Sequence, residues 1–118
     1  MTFKRVYPDY LEDIAVASDK IAQFIEGMTY GQFVQDAKTA YAVVRALEVI
    51  GEAAKRVPSS VRAQYPEIPW REMTGIRDKL IHEYFGVNLE VVWKTALEDA
   101  PNLGLQVRRI LIEMSKPP

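Results

Sequence analysis

Apolar side chains recur at steps of three and four residues along most of this sequence, and no stretch of useful length alternates apolar with polar residues. This spacing places apolar side chains on one face of an α-helix, so it predicts an all-α fold. The first such stretch runs from about Pro8 to Glu26, and Gly27 is suited to end it. Its main apolar stripe consists of Tyr10, Ile14, Ala17, Ile21 and Phe24.

A second helix is expected from about Val34 to Arg56, after a turn at residues 29–31 and with Phe33 anchored in the core. It is apolar on most of its circumference, which indicates that it is covered on most sides. Its two apolar stripes are Ala37, Tyr41, Val44, Leu47, Gly51 and Ala54, and Val43, Ala46, Ile50, Ala53 and Val57. Glycine inside a helix costs about 1 kcal/mol relative to alanine, so Gly51 predicts the close approach of another helix.

The strip between these stripes is polar and consists of Arg45, Glu48 and Glu52. The pattern leaves two interpretations open, a solvated face or a polar network that lines a site.

Prolines, glycines and capping residues divide the second half of the chain. The predicted elements are a short helix after Pro58–Ser60 to about Tyr65, a third long helix from Pro69 to Phe85, and a fourth from Asn88 that is interrupted at Pro101. The expected architecture is therefore an up-and-down bundle of four long helices plus a short one, with the last helix broken near Pro101. We expect residues 1–118 to form a single domain.

Composition narrows the classes of function. The 118 residues carry a formal charge of −1, one histidine and no cysteine, which argues against thiolate chemistry and a structural zinc site. No Gly-rich phosphate loop or paired Glu-x-x-His unit occurs, so we expect no cofactor and no metal. A near-neutral chain binds nucleic acid through a local patch or an assembled groove. No apolar run reaches membrane-spanning length, and we expect a soluble, cytoplasmic protein without membrane contact.

The single histidine lies in the stretch RDKLIHEYF, residues 77–85. On an ideal helix the core stripe consists of Met73, Ile76, Leu80 and Tyr84. His82 points away from this stripe, one turn after Asp78. Arg77 and His82 point about 140° apart, so one straight helix does not bring them into one site.

A second apolar patch on the same helix consists of Trp70, Ile81 and Phe85. An apolar patch outside the core of one chain has to be covered or left exposed, and a twofold homodimer through this helix would cover it. The second chain would also supply the half of the site that Arg77 and His82 cannot form within one helix.

These residue types suit the cleavage of RNA. A histidine transfers protons near neutral pH, as His82 would for the 2′-hydroxyl or the leaving 5′-oxygen. An arginine such as Arg77 binds phosphate and its developing charge, and Tyr84 can position phosphate or accept a modifying group. Taken singly, the same residues also fit a solvated histidine, an ion-paired arginine and a packed tyrosine.

The stretch Arg77 to Tyr84 resembles the Arg-x4-His-x-Tyr motif of the HepT-like branch of the HEPN domains. The segment RALEVIGEAA, residues 45–54, is similar to the second-helix pattern of that branch. Further similar positions follow in the same order: Pro69-Trp70, Gly75, Phe85-Gly86-Val87 and Trp93.

The resemblance implies an all-α bundle that dimerises with its motif helices facing each other across a cleft. It implies a metal-independent endoribonuclease, the toxin of a type II toxin–antitoxin pair, with Arg77 and His82 as catalytic residues. It also implies a partner, an antitoxin with a minimal nucleotidyltransferase (MNT) domain that silences the toxin by transferring AMP to Tyr84.

Asp78 departs from the asparagine that many HEPN ribonucleases carry after the arginine. A carboxylate there repels phosphate, but it can also orient His82 or raise the pKa of that imidazole. The alternative function is therefore a non-catalytic HEPN module that binds nucleotide or the nucleotidyltransferase partner. A helical dimerisation domain with an incidental His82 is a third interpretation.

Overall fold

The computed structural model describes residues 6–80 and 88–117, and within these ranges every regular element is helical, which confirms the predicted all-α fold. In chain order the helices are α1 (Tyr7–Ile25), α2 (Tyr30–Gln35), α3 (Ala37–Arg56), α4 (Ser59–Gln64), α5 (Trp70–Thr74), α6 (Ile76–Leu80), α7 (Leu89–Lys94) and α8 (Ala100–Ser115). A π-helical segment, Thr95–Asp99, joins α7 to α8. None of the helices in these ranges is both long and apolar enough to cross a membrane.

Helices α1, α3 and α8 form the centre of the core. The fully buried side chains at their contacts include Leu11, Ile14 and Ile21 of α1, Val43, Leu47 and Ile50 of α3, and Val107 of α8. Burying one such side chain contributes roughly 1.5–3 kcal/mol, so these stripes dominate the stability of the fold. The predicted first helix is confirmed to within one residue at each end, and Gly27 follows it with a positive φ of 74°.

The predicted second helix is two helices, and the turn predicted at residues 29–31 is wrong. The Thr29 hydroxyl accepts a hydrogen bond from the Gln32 N–H, and the Gln32 side chain accepts one from the Thr29 N–H, so α2 begins at Tyr30. The Asp36 carboxylate then accepts from the N–H and hydroxyl of Thr39 and starts α3. Phe33 is fully buried, as predicted, and its ring lies 5.2 Å from that of Trp93 in α7.

Gly51 lies at a close contact between α3 and the α5–α6 region, which confirms the predicted close approach. A methyl group on Gly51 would lie 2.8 Å from Cγ2 of Ile76 and 3.1 Å from the Met73 carbonyl oxygen. Because Gly51 has no side chain, Ile76 of α6 can pack this close to α3.

Three members of the predicted stripes are not core residues, and one of them is Ala37, which is exposed in the first turn of α3. Tyr41 is 78% exposed, because no described element covers the N-terminal part of α3 on that side, and Phe24 is 38% exposed near the end of α1. The interruption predicted at Pro101 takes the form of the π-helical segment, and the chain stays helical from Leu89 to Ser115. Proline lacks an N–H and cannot donate to the preceding turn, and the wider π turn, closed by the Ala100 N–H on the Thr95 carbonyl, accommodates this loss just before Pro101.

Candidate functional site

The helix predicted to carry the motif is divided at Gly75 into α5 and α6. Met73, Ile76 and Leu80 are buried, so the core stripe is confirmed as far as the structure describes it. Asp78 is exposed, as its predicted position opposite the stripe requires. The side chain of Arg77 and the whole of residues 81–87, with His82 and Tyr84, lie outside the described residues, so their roles remain predictions.

The two described residues that flank 81–87 are joined directly. The N–H of Asn88 donates to the carbonyl oxygen of Leu80 over 3.0 Å. The side chain of Asn88 also accepts from the N–H groups of Glu90 and Val91, as predicted for a helix cap. The cap of α7 is therefore held directly against the last residue of α6.

A cleft of about 330 Å³ lies between α3 and the α5–α6 region. Its lining residues are Arg45, Glu48, Gly51, Glu52, Lys55, Thr74 and Ile76. All three residues of the polar strip thus border the element that carries Arg77, as the site interpretation of this strip requires. They are also hydrated, because Arg45 and Glu52 are exposed and Glu48 is half-buried. Lys55 forms an ion pair with Glu52 at 3.5 Å.

A second groove, of about 520 Å³, lies between α1 and α3. Its lining residues are Asp13, Val16, Ala17, Lys20, Phe24, Ala42, Arg45, Ala46 and Val49. Arg45 lines both spaces, so it connects the α1–α3 groove with the cleft beside α6. Lys20 was not predicted to be part of this surface, although it lies four residues after Val16 and four before Phe24 on the outer side of α1.

Trp70 does not belong to an exposed dimer patch, and that part of the prediction is wrong. It is only 8% exposed, and its indole N–H donates to the Tyr65 carbonyl over 3.0 Å. The segment between α4 and α5 supplies this partner, which a helical projection of residues 70–85 alone leaves out. The other two patch residues, Ile81 and Phe85, lie outside the described residues.

Within the ranges 6–80 and 88–117, no three histidine or acidic side chains converge in a way that could hold a metal ion.

Comparison with known proteins gives one consistent result. The profile of a family described as "Ribonuclease HepT-like" matches residues 14–110. A probable ribonuclease HepT of Thermococcus cleftensis is 54% identical over 100 residues, which cover 85% of this chain and 91% of that protein. A putative RNase of Methanocaldococcus jannaschii is 42% identical over 113 residues, 96% of this chain and 97% of that protein. A putative RNase of Caldanaerobacter subterraneus is 44% identical over 102 residues, 86% and 91% of the two chains. No solved structure gives a significant match.

Proposed function

This chain belongs to the HepT-like ribonuclease family, and we propose from that premise that it is a metal-independent endoribonuclease whose motif residues Arg77 and His82 cut RNA. The observation that carries the proposal is the Arg-x4-His-x-Tyr sequence at residues 77–84, which lies inside the matched region. Its first residue follows Ile76, whose side chain is packed against Gly51 of α3. Because this packing holds the start of α6 in place, the backbone at Arg77 is held in a fixed position.

The proposed chemistry needs an acid, a base and a phosphate clamp. The imidazole of His82 transfers the proton of the 2′-hydroxyl or of the leaving 5′-oxygen. The guanidinium of Arg77 binds the phosphate and stabilises the negative charge that develops on it. A homodimer brings two copies of each residue to one cleft, which supplies separate groups for the acid and the base.

Arg45, Glu48 and Glu52 have a supporting role in this proposal. The cleft that they line with Thr74 and Ile76 begins one residue before Arg77. The exposed guanidinium of Arg45 is suited to a phosphate that flanks the cut, and the α1–α3 groove continues from it. The carboxylates of Glu48 and Glu52 lie where they can orient an arginine.

We further propose that the protein is the toxin of a cytoplasmic toxin–antitoxin pair. Its partner would be a minimal nucleotidyltransferase that transfers AMP to the Tyr84 hydroxyl. An adenylate attached there would place an anion beside the Arg77 clamp and occupy the site of the RNA phosphate. Tyr84→Phe removes the acceptor hydroxyl, and we expect it to block the mass increase of one adenylate when the chain is incubated with this partner and ATP.

The non-catalytic interpretation is supported by Asp78, whose exposed carboxylate lies next to Arg77 in the sequence and repels phosphate. Under that interpretation the motif recognises the nucleotidyltransferase or a nucleotide, and no RNA is cut.

Cleavage of a mixed RNA pool in the presence of EDTA tests the proposal. We expect the wild type to cut, and His82→Ala and Arg77→Ala to be slower by a factor of about 100 or more, because each removes a group that acts in the transition state. Lys94→Ala, which removes an exposed positive charge from α7, is the control and should retain wild-type activity.

Two outcomes would contradict the catalytic assignment. One is cleavage that survives His82→Ala in a folded protein. The other is a wild type that binds the partner but cuts no RNA, which would favour the non-catalytic module.

A further inference from the structure

A separate cavity of about 310 Å³ lies between α3, the α5–α6 region and the beginning of α8. Ile76 borders both this cavity and the cleft of Arg45. The cavity has an apolar floor of buried side chains, namely Leu47, Ile50, Met73, Ile76 and Leu103. A space of this size with an apolar floor is typical of a small-ligand site.

The rim of the cavity is acidic. It carries the carboxylates of Glu67, Glu72 and Asp99 and a single cation, Lys79, all of them exposed. In the part of the chain that the structure describes, none of these three carboxylates forms an ion pair. The rim therefore attracts a cation, and it repels phosphate groups.

One nearly buried side chain in the wall carries a hydroxyl that no described residue hydrogen-bonds. Thr95, in the π-helical segment, is only 5% exposed and lines the cavity. Its hydroxyl is absent from the side-chain hydrogen bonds within residues 6–80 and 88–117. Because no described group hydrogen-bonds this hydroxyl, it is available to a ligand in the cavity.

Two amides complete the wall. Gln106 donates a hydrogen bond from Nε2 to the Glu67 carbonyl over 3.3 Å, so it ties α8 to the segment before α5. Asn102 lines the cavity from the first turn of α8. The wall is therefore assembled from three parts of the chain, and at the Gln106 contact it is fixed before any ligand binds.

We propose that this cavity binds an organic cation with a short apolar stem, an alkylguanidinium or alkylammonium. The stem lies on the floor of Leu47, Ile50 and Leu103, and the charged head contacts the carboxylates of Glu72 and Asp99. The Thr95 hydroxyl accepts one hydrogen bond from the head. Such a group occurs in a free polyamine and in an arginine or lysine side chain of a partner protein.

Binding here affects the element that leads to Arg77. Met73 and Ile76 form one wall of the cavity, and they also make the contact with Gly51 that positions α6. A ligand that binds only the native state stabilises that state. In this cavity the stabilisation acts on the α5–α6 wall, because the ligand contacts it. Amide hydrogens of residues 76–80 should therefore exchange more slowly when the ligand is bound.

Isothermal titration with n-butylguanidinium and its neutral analogue n-butylurea tests the proposal on the whole chain. We expect saturable binding of one butylguanidinium per chain, and binding of butylurea at least about tenfold weaker, because it lacks the charge. Glu72→Gln and Asp99→Asn should each weaken butylguanidinium binding about tenfold, and Thr95→Val should weaken it less. Glu98→Gln removes an exposed carboxylate from the same helical segment but outside the cavity, and it should leave the affinity unchanged.

Two further probes separate the sources of the cation. Tighter binding of spermidine than of acetyl-arginine amide assigns the site to a free polyamine, and the reverse order assigns it to a side chain of a partner protein. The proposal is overturned by three results: no saturable binding of butylguanidinium, equal binding of butylurea, or a loss with Glu98→Gln that equals the loss with Asp99→Asn. None of these readouts depends on RNA cleavage, so the proposal and the ribonuclease assignment fail separately.

Discussion

At the scale of single residues, Gly51 determines how the helix with Arg77 meets α3. The Cβ of Gly51→Ala would lie 2.8 Å from Cγ2 of Ile76 and 3.1 Å from the Met73 carbonyl oxygen, and the backbone atom cannot turn away. Overpacking of this kind costs about 1–3 kcal/mol, against a gain of about 1 kcal/mol in helix propensity. We expect the free energy of unfolding in urea to fall by about 1 kcal/mol.

A second helical glycine serves as the control for this prediction. A Cβ on Gly31 of α2 would have its nearest neighbour at 3.8 Å, an ordinary contact. Gly31→Ala should therefore be neutral or stabilising by up to about 1 kcal/mol. If both substitutions change stability equally, the close packing at Gly51 has no energetic role.

Predictions for single residues were confirmed where the residue type itself constrains the local backbone or packing. Gly51 could be predicted because a mid-helix glycine needs a compensating contact, and Gly27 because it ends a helix. Trp70 and Tyr41 were assigned wrongly, since their burial depends on partners distant from their own helical pattern. Trp70 is covered by the segment that carries Tyr65, whereas the side of α3 at Tyr41 is left uncovered in the described structure.

At the scale of helices, Asp36 separates α2 from α3. The N–H and hydroxyl of Thr39 donate to its carboxylate, and the backbone hydrogen bond is the main reason that the pKa of Asp36 lies below its ordinary value. A carboxyl whose pKa is lowered by folding stabilises the protein above its unfolded pKa. This contribution is lost as the pH falls through the lowered value.

Asp36→Asn tests this pH dependence, because asparagine also caps helices but does not titrate. We expect the wild type to be the more stable at pH 7 and this advantage to disappear as the pH falls below the ordinary carboxyl pKa of 3.8. Thermal unfolding followed by circular dichroism over this range measures the difference. A stability difference that does not change with pH would contradict the role of the charged cap.

The helix boundaries that the sequence predicted poorly are those set by hydrogen bonds between neighbouring side chains and backbone. Thr29 with Gln32, and Asp36 with Thr39, are capping pairs that divide an apolar pattern which would otherwise continue. An interruption of the last helix was correctly predicted near Pro101. The position of a proline alone, however, does not show whether the helix breaks or forms a π turn. The outcome depends on whether the residues on both sides of the proline remain in the core. Val92 and Leu103 are both buried, which favours a continuous helix with a π turn.

At the scale of the whole molecule, two clefts meet the element that carries Arg77, and they differ in charge. The cleft of Arg45 contains two basic and two acidic side chains and continues into the α1–α3 groove. The cavity on the other side of Ile76 has a mainly acidic rim. We therefore expect RNA on the side of Arg45 and an organic cation on the other side.

That Arg45, Glu48 and Glu52 share one strip of α3 could be predicted from their helical spacing, but the sequence left open whether this strip is solvated or lines a site. The acidic cavity was not foreseeable, since Glu67, Glu72 and Asp99 lie in different elements and only the folded chain brings them together. The relation between Arg77 and His82 remains a prediction, and their divergence on a straight helix leads to the central claim that each chain supplies half of an RNA-cutting site.

Mixing the wild type with an inactive variant tests this claim most directly. Wild type and His82→Ala, unfolded together in equal amounts and refolded as a mixture, should cut RNA in EDTA at about a quarter of the rate of the same total amount of wild type, because only a quarter of the random dimers carry both histidines in their shared cleft. His82→Ala refolded alone should stay inactive. A mixture that forms mixed dimers but retains about half of the wild-type rate would contradict a site shared between two chains, because it would show that each chain cuts independently.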